Sequence, residues 1–251
     1  MTVTRTILTG LALLGAVATG CTAEPAVEPV ARPMEEAPVP RTPAQPLRTE
    51  RVDAPECFAG HGASAYRLPG TGDARLVTLG RGRTGVVFAP ISWGDACEWA
   101  PEAVRLARAG HRVVTFDWGP DRRETVSAAT RLLREQGAAE TAWVGGCMGG
   151  NVMLGMAADA RPAGVAAASP LPSLGGLGDG RDGYRGEIFV LGTTDDPLVA
   201  ESELREAAGR YDGAELTVLP GTEHAAEMFT GPRAADARRA LDAFLARTFA
   251  S

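Results

Sequence analysis

The sequence predicts an α/β fold in which helices cover both faces of a mostly parallel central sheet. Three observations lead to this prediction. Short apolar runs rich in β-branched and aromatic residues alternate with longer segments of helical periodicity. The chain is 45% hydrophobic and 22% charged, which is typical of a protein with a packed core. Residues 56–251 have the length of one domain.

The predicted elements follow one another at the spacing of strand–helix–strand units. Strands are predicted at Tyr66–Leu68 and Leu76–Leu79 as an antiparallel pair, then at Val86–Ala89, His111–Phe116, Thr141–Val144, Gly164–Ala168, Glu187–Leu191 and Glu215–Leu219. Helices are predicted at Pro101–Ala109, Arg123–Gln136, Asn151–Ala158, Leu198–Gly209 and Ala234–Phe249. In such sheets reactive groups collect at the carboxyl ends of the strands, so the functional residues are expected in the loops that follow them.

Residues 1–20 have the pattern of a secretory signal peptide. Arg5 supplies a positive charge, and the apolar run Ile7–Thr19 is too short to span a bilayer. The run ends in Ala18-Thr19-Gly20-Cys21, which resembles the lipobox of bacterial lipoproteins. The resemblance implies that Cys21 is lipidated and anchors the protein to the outer face of the bacterial cell membrane. Ordinary cleavage nearby, followed by secretion, is the alternative.

Residues 21–55 are predicted to be a disordered tether between this cysteine and the domain at 56–251. Residues 22–55 contain eight prolines, no glycine and no aromatic residue. Such a stretch buries too little apolar surface to offset the entropy of ordering it, and its prolines favour extended conformations.

The charge and composition exclude several classes of function. A net charge of −6 provides no basic surface for a phosphate backbone, so a nucleic-acid partner is not expected. The chain has no lysine, which excludes Schiff-base chemistry and a phosphate-binding P-loop. The three histidines, His61, His111 and His224, are scattered and have no metal-ligand spacing. We therefore expect no metal site.

Cys147 is the strongest candidate for a catalytic nucleophile. It lies in Gly145-Gly146-Cys147-Met148-Gly149-Gly150, between a predicted strand and a predicted helix. This is the G-x-C-x-G form of the nucleophile elbow, a turn so sharp that the residues two before and two after the nucleophile must be small. The N-terminus of the following helix favours a thiolate at this place.

Two later loops supply an acid and a base. Glu187–Leu191 leads into Gly192-Thr193-Thr194-Asp195-Asp196, in which Asp195 is favoured as the acid and Asp196 is the alternative. Glu215–Leu219 leads into a loop that contains His224, the favoured base. His111 opens a strand at its amino end and His61 precedes the sheet, so both are badly placed for this role.

The chain order nucleophile, acid, base and the elbow over about residues 60–250 resemble the α/β-hydrolase superfamily. The cysteine elbow GGCMGG is similar to that of the dienelactone hydrolase branch. The resemblance implies an α/β-hydrolase fold and a triad of Cys147, His224 and Asp195 that cleaves small-molecule esters or lactones without a cofactor. It also implies an oxyanion hole formed by the N–H groups of Met148 and Ile91, with Ser92 as the next choice for the second.

The segment before Glu187 is too short for a helical cap domain, so the pocket is expected to be open, with Trp93, Trp99 and Met148 near its rim. Cys57 and Cys97 remain after the other two cysteines are assigned, and in an oxidising compartment they are candidates for a disulfide. A different class of function also stays open, namely a non-catalytic lipoprotein of this fold that binds a ligand or a partner.

Overall fold

The structure, a computed structural model, describes residues 46–68, 72, 74–178 and 183–250. The predicted signal peptide, Cys21 and residues 21–45 of the predicted tether lie outside these residues. Within the described ranges no helix is both long and apolar enough to cross a membrane.

One sheet runs through the described part of the chain, and its strands are in the order β1-β2-β3-β5-β4-β6-β7-β8-β9. The strands are β1 (Glu50–Val52), β2 (Ser64–Arg67), β3 (Arg75–Leu79), β4 (Thr84–Ala89), β5 (Arg112–Phe116), β6 (Glu140–Gly146), β7 (Gly164–Ala168), β8 (Glu187–Thr193) and β9 (Glu215–Leu219). The pairs β1–β2, β2–β3 and β3–β5 are antiparallel. All other pairs are parallel, so the carboxyl ends of β4 to β9 meet at one edge of the sheet.

Helices cover both faces of this sheet, as the sequence predicts. They are α1 (Ala100–Arg108), α2 (Arg122–Glu135), α3 (Met148–Ala160), α4 (Glu201–Gly209) and α5 (Ala234–Thr248). Apolar residues of α1 and α5 pack on one face of the sheet. Those of α2, α3 and α4 pack on the other. The predicted fold class is confirmed.

The middle of the sheet is apolar on both sides because consecutive side chains of a strand point to opposite faces. In β6, Ala142 and Val144 face the α1–α5 layer, whereas Trp143 faces the α2–α3 layer. The Trp143 indole N–H donates to Oγ1 of Thr130 on α2 at 3.0 Å. This explains why β6 has no polar and apolar alternation and appears in the sequence as a continuous apolar run.

Strand β1 was not predicted, and it corrects the end of the tether. The predicted tether extends to residue 55, yet Glu50–Val52 already pairs with β2 in the register Arg51↔Tyr66. Both Glu50 and Arg51 are exposed. The strand is joined to the sheet through its backbone, so its side chains carry little apolar signal.

Between β7 and β8, the one helical segment of the described residues is a single turn of 3-10 helix at Pro172–Leu174. This agrees with the expectation of a minimal cap. The Asn151 side chain on α3 ties this segment to the body: it donates to the carbonyls of Leu171 and Gly175 and accepts from Leu171 N–H.

Candidate active site

Cys147 lies on a strained turn between the end of β6 and the start of α3. Its φ is 48° and its ψ is −115°, a conformation that non-glycine residues rarely adopt. The Cys147 N–H donates to Ala168 O at 2.8 Å, and its carbonyl accepts from Asn151 N–H at 3.0 Å. The turn brings the thiol to the edge of the sheet where the parallel strands end, and the side chain is buried.

The glycines around Cys147 are required by close backbone contacts. A Cβ at Gly149 would lie 2.5 Å from the carbonyl oxygen of Pro90, and a Cβ at Gly145 would lie 2.5 Å from the carbonyl carbon of Gly149. Neither contact can be relieved by a side-chain rotation, because the opposing atoms are backbone. The sequence expectation that these positions must be small thus has a direct structural reason.

His224 follows β9 and forms a hydrogen-bonded pair with Asp196. The distance from His224 Nδ1 to Asp196 Oδ2 is 2.8 Å, and that to Oδ1 is 3.0 Å. Both side chains are buried. Thr193 at the end of β8 holds the histidine loop in place, since its hydroxyl donates to Glu223 O at 2.9 Å.

The acid on His224 is Asp196, so the preference for Asp195 was wrong. Asp195 N–H continues the β8–β9 pairing by donating to Gly221 O at 2.9 Å. Its carboxylate points to solvent and accepts from the Thr194 hydroxyl. The chain turns at Thr194 and Asp195, and the next residue, Asp196, is buried. There Asp196 Oδ1 also accepts the N–H groups of Leu198 and Val199.

Asp196 and His224 each favour the charged form of the other. Burial works against the charge on Asp196, but hydrogen bonds from His224, Leu198 N–H and Ser169 outweigh it and hold the pKa of this carboxyl below its usual value. Burial likewise opposes a charge on His224, yet Asp196 and Cys147 raise the pKa of the imidazole to about 9. His224 Nε2 is buried and has no hydrogen-bond partner among the described residues. The interaction that raises the pKa of this ring thus includes Cys147, the candidate nucleophile.

Ser169 is a residue of the site that the sequence reasoning missed. It is buried, directly follows β7 and has a φ of 49°. Its Oγ accepts Ala225 N–H at 3.0 Å, and its hydroxyl hydrogen-bonds to Asp196. Ser169 therefore links the loop after β7 to both the acid and the base. The sequence feature that could have identified Ser169 is its position directly after a predicted buried strand.

The two backbone N–H groups that were expected to form the oxyanion hole differ in their hydrogen bonding. Met148 is the first residue of α3, where backbone N–H groups have no acceptor within the helix. The Ile91 N–H instead donates to the Glu98 carboxylate, at 3.0 Å to Oε2 and 3.2 Å to Oε1. Burial, the largest cause, raises the pKa of Glu98 to about 7, although the Ile91 hydrogen bond opposes the shift. Glu98 is not among the site residues that the sequence predicts.

Cys57 and Cys97 are joined by a disulfide, with their Cα atoms 5.8 Å apart. It links the 3-10 helix Glu56–Phe58 to the loop between β4 and α1. This loop also contains Trp93, which is 79% exposed. Trp99 was expected near the rim, but it is buried and donates its indole N–H to Ala89 O at 3.0 Å.

The two other histidines lie outside this constellation. The ring nitrogen Nδ1 of His111 is 2.9 Å from Oγ1 of Thr84, at the amino end of β4. His61 contacts Arg108. In the described ranges no group of three or more His, Cys, Asp or Glu side chains is placed to hold a metal ion.

No family model and no curated protein matches this chain. Solved structures do. Est1E from Butyrivibrio proteoclasticus aligns with a TM-score of 0.59 at 14% identity, over 81% of this chain and 99% of that one. An esterase of Pyrococcus furiosus aligns with a TM-score of 0.57 at 16% identity, over 80% and 90%. An enol-lactonase from Burkholderia xenovorans aligns with a TM-score of 0.54 at 17% identity, over 69% and 97%. The chain therefore has the α/β-hydrolase fold.

Proposed function

We propose that this protein is a cofactor-independent hydrolase of carboxylic esters or lactones, with Cys147 as the nucleophile. The observation that carries the proposal is the conjunction of a buried thiol on a strained elbow with a buried His224–Asp196 pair at 2.8 Å. Structural ion pairs also occur in cores, but they do not require a nucleophile at φ 48° on the same edge of the sheet. The cysteine elbow further supports a dienelactone hydrolase-like subtype.

In the proposed mechanism His224 takes the thiol proton and Asp196 stabilises the resulting imidazolium. The sulfur attacks the substrate carbonyl carbon, and the carbonyl electron pair moves to oxygen as the new C–S bond forms. Backbone N–H groups stabilise this oxyanion. The intermediate then collapses, the C–O bond breaks, and the leaving alcohol takes the proton from His224. Finally a water molecule, deprotonated by His224, attacks the thioester and releases the acid and the thiol.

Exposed apolar side chains occur in the loops that follow strands at the edge where this site lies. Three large apolar residues of the described ranges are strongly exposed, and each follows a different strand: Trp93 follows β4, Leu174 follows β7 and Leu198 follows β8. Because all three strands end at the edge that carries Cys147, these side chains favour an ester with an apolar acyl group over a highly charged one.

The test is turnover of p-nitrophenyl esters by the wild type and by Cys147→Ala. We expect the substitution to abolish turnover, since the carbonyl then has no attacking sulfur. Turnover of the variant at the wild-type rate contradicts the proposed mechanism. A soft electrophile such as iodoacetamide distinguishes the non-catalytic alternative, since selective labelling of Cys147 that His224→Ala suppresses is expected only of an activated thiol.

We also propose that the enzyme is anchored through a lipid on Cys21 to the outer face of a bacterial cell membrane, with residues 1–20 removed. The support is the sequence pattern that ends at Cys21, and a disulfide suits an extracytoplasmic compartment. Cys21→Ala should move the protein from the membrane fraction to the soluble fraction. An unchanged distribution contradicts the anchor and leaves secretion as the alternative.

A further inference from the structure

The Glu98 carboxylate accepts the hydrogen bond of the Ile91 N–H, which the proposed mechanism needs as an oxyanion donor. Both of its carboxylate oxygens lie within hydrogen-bond distance of the single Ile91 N–H, at 3.0 and 3.2 Å. An N–H group has one hydrogen to donate, so Ile91 cannot at the same time serve a substrate oxygen at full strength. Use of this donor in catalysis requires that the carboxylate first move away.

Two glycines leave open the space that the Glu98 carboxylate occupies. A Cβ at Gly94 would lie 1.9 Å from Glu98 Oε2, and a Cβ at Gly146 would lie 3.3 Å from Oε1. Gly146 directly precedes Cys147, so the carboxylate lies beside the nucleophile elbow. Any side chain at Gly94 would displace it.

The backbone on either side of Glu98 is held firmly. Cys97 is in the disulfide with Cys57, and Ala96 N–H donates to Asp117 Oδ1 at 3.0 Å. Trp99 is buried and bonded to Ala89 O. Release of the Ile91 N–H therefore requires rotation of the Glu98 side chain and no movement of the loop.

We propose that Glu98 is a positioning residue that closes the oxyanion hole in the resting protein, and that it must leave the Ile91 N–H before an ester carbonyl is activated. This inference rests on the proposed function. In the closed state the carboxylate stands where the oxyanion would form, and only an oxygen that competes successfully for the N–H opens the hole.

The charge of Glu98 controls how firmly the hole is closed. The groups that act on it are Asp95 and Glu227, of like charge, and His224, of opposite charge. With a pKa of about 7, the carboxyl is neutral in mild acid and anionic in mild base. A hydrogen bond to a charged acceptor is worth about ten- to a hundredfold in an equilibrium, so the closed state strengthens above neutrality.

The experiment measures the Ile91 amide resonance by ¹H–¹⁵N NMR and kcat/KM for a p-nitrophenyl ester, both from pH 5 to 8. It compares the wild type with Glu98→Gln, which keeps the size and loses the charge. Glu56→Gln is the matched control, since Glu56 is exposed and undergoes the same charge change next to the same disulfide. Thermal melts establish that each variant is folded.

We expect the Ile91 amide to titrate with a midpoint near 7 in the wild type and the control, and to be flat in Glu98→Gln. The ratio of kcat/KM between Glu98→Gln and the wild type should rise about tenfold from pH 5 to pH 8. A flat Ile91 amide in the wild type overturns the inference. So does an unchanged kcat/KM ratio, or a loss of activity in Glu98→Ala at every pH. If the wild type hydrolyses no ester, the proposed function fails, while the NMR measurement still decides whether Glu98 holds the N–H.

Discussion

Two carboxylates interact with His224, and their pKa values are shifted in opposite directions. Asp196 lies on the Nδ1 side of the ring, and its pKa is held below the usual value although burial opposes this shift. Glu98 acts on the same ring from the loop after β4, and burial raises its pKa to about 7. Both side chains are shielded from solvent and both accept backbone hydrogen bonds, so neither burial nor hydrogen bonding alone explains the difference.

The number and charge of the donors explain it. Asp196 is bonded to an imidazole, the Ser169 hydroxyl and the N–H of Leu198, and all of these favour the charged form. Glu98 has one backbone donor, Ile91 N–H, and two acidic neighbours, Asp95 and Glu227. Asp196 thus stays charged because several donors converge on it, whereas Glu98 has a single backbone donor. Asp196 is suited to hold a cation, and Glu98 is suited to change its charge near neutral pH.

The largest expected effect comes from replacing the first or the second of the two adjacent aspartates by asparagine. Of the two, only Asp196 contacts His224. Asp196→Asn should lower kcat by about 10³-fold or more, since the amide can no longer stabilise the imidazolium. Asp195→Asn is the matched control, and it should stay within about twofold of the wild type because the Asp195 carboxylate faces solvent. Steady-state kinetics on one ester measure both. Equal losses in the two variants contradict the assignment of Asp196.

This pair of aspartates also shows how far the sequence predicts the site. The elbow around Cys147 and the loop of His224 were predicted, because glycine spacing and chain order are local properties of the sequence. The choice between Asp195 and Asp196 depends on where the β8–β9 pairing ends, at Asp195 N–H and Gly221 O. The register between two strands cannot be read from either loop alone, so the burial of Asp196 rather than Asp195 could not be derived.

The fold was easier to predict than the contacts between its loops. Apolar strands alternating with amphipathic helices fix the layers, and all the predicted parallel strands are present. Strand β1 was missed because its exposed residues carry no apolar pattern. Glu98 was missed for a different reason. Its partner, Ile91 N–H, is a backbone group seven residues earlier in an irregular loop, and no periodicity links the two.

The second prediction is that removal of the two charges changes stability in opposite directions. Glu98 has a folded pKa above its usual 4.5, so its charge destabilises the fold progressively as the pH rises towards 7 and beyond. Glu98→Gln should therefore raise the free energy of unfolding at pH 8 by about 1–3 kcal/mol and change it little at pH 4.5.

Asp196→Asn should instead lower the free energy of unfolding by about 3 kcal/mol near pH 6, because it leaves a buried imidazole without its partner. The folded pKa of His224 is raised, so the stabilisation by the pair is complete below the usual pKa of 6.5 and disappears as the pH rises through about 9. At the acid end it disappears as Asp196 is protonated below its usual pKa of 3.8. Urea unfolding at pH 4.5, 6, 8 and 9.5 measures these differences. Changes of the same sign in the two variants contradict the comparison.

The smallest effect tests whether acidic neighbours contribute to the state of Glu98. Asp95 is exposed, and its like charge is one cause of the raised pKa of Glu98. Asp95→Asn keeps the oxygen that accepts Cys97 N–H at 2.8 Å, so the loop should retain its conformation while one charge is lost. The midpoint of the Ile91 amide titration should then move towards acid by less than about one pH unit, because an exposed charge acts weakly through solvent. Asp195→Asn removes one charge from a different loop and should leave the midpoint in place. A shift towards base in Asp95→Asn would mean that the acidic neighbours do not set the charge of Glu98, and burial alone would then have to account for its difference from Asp196.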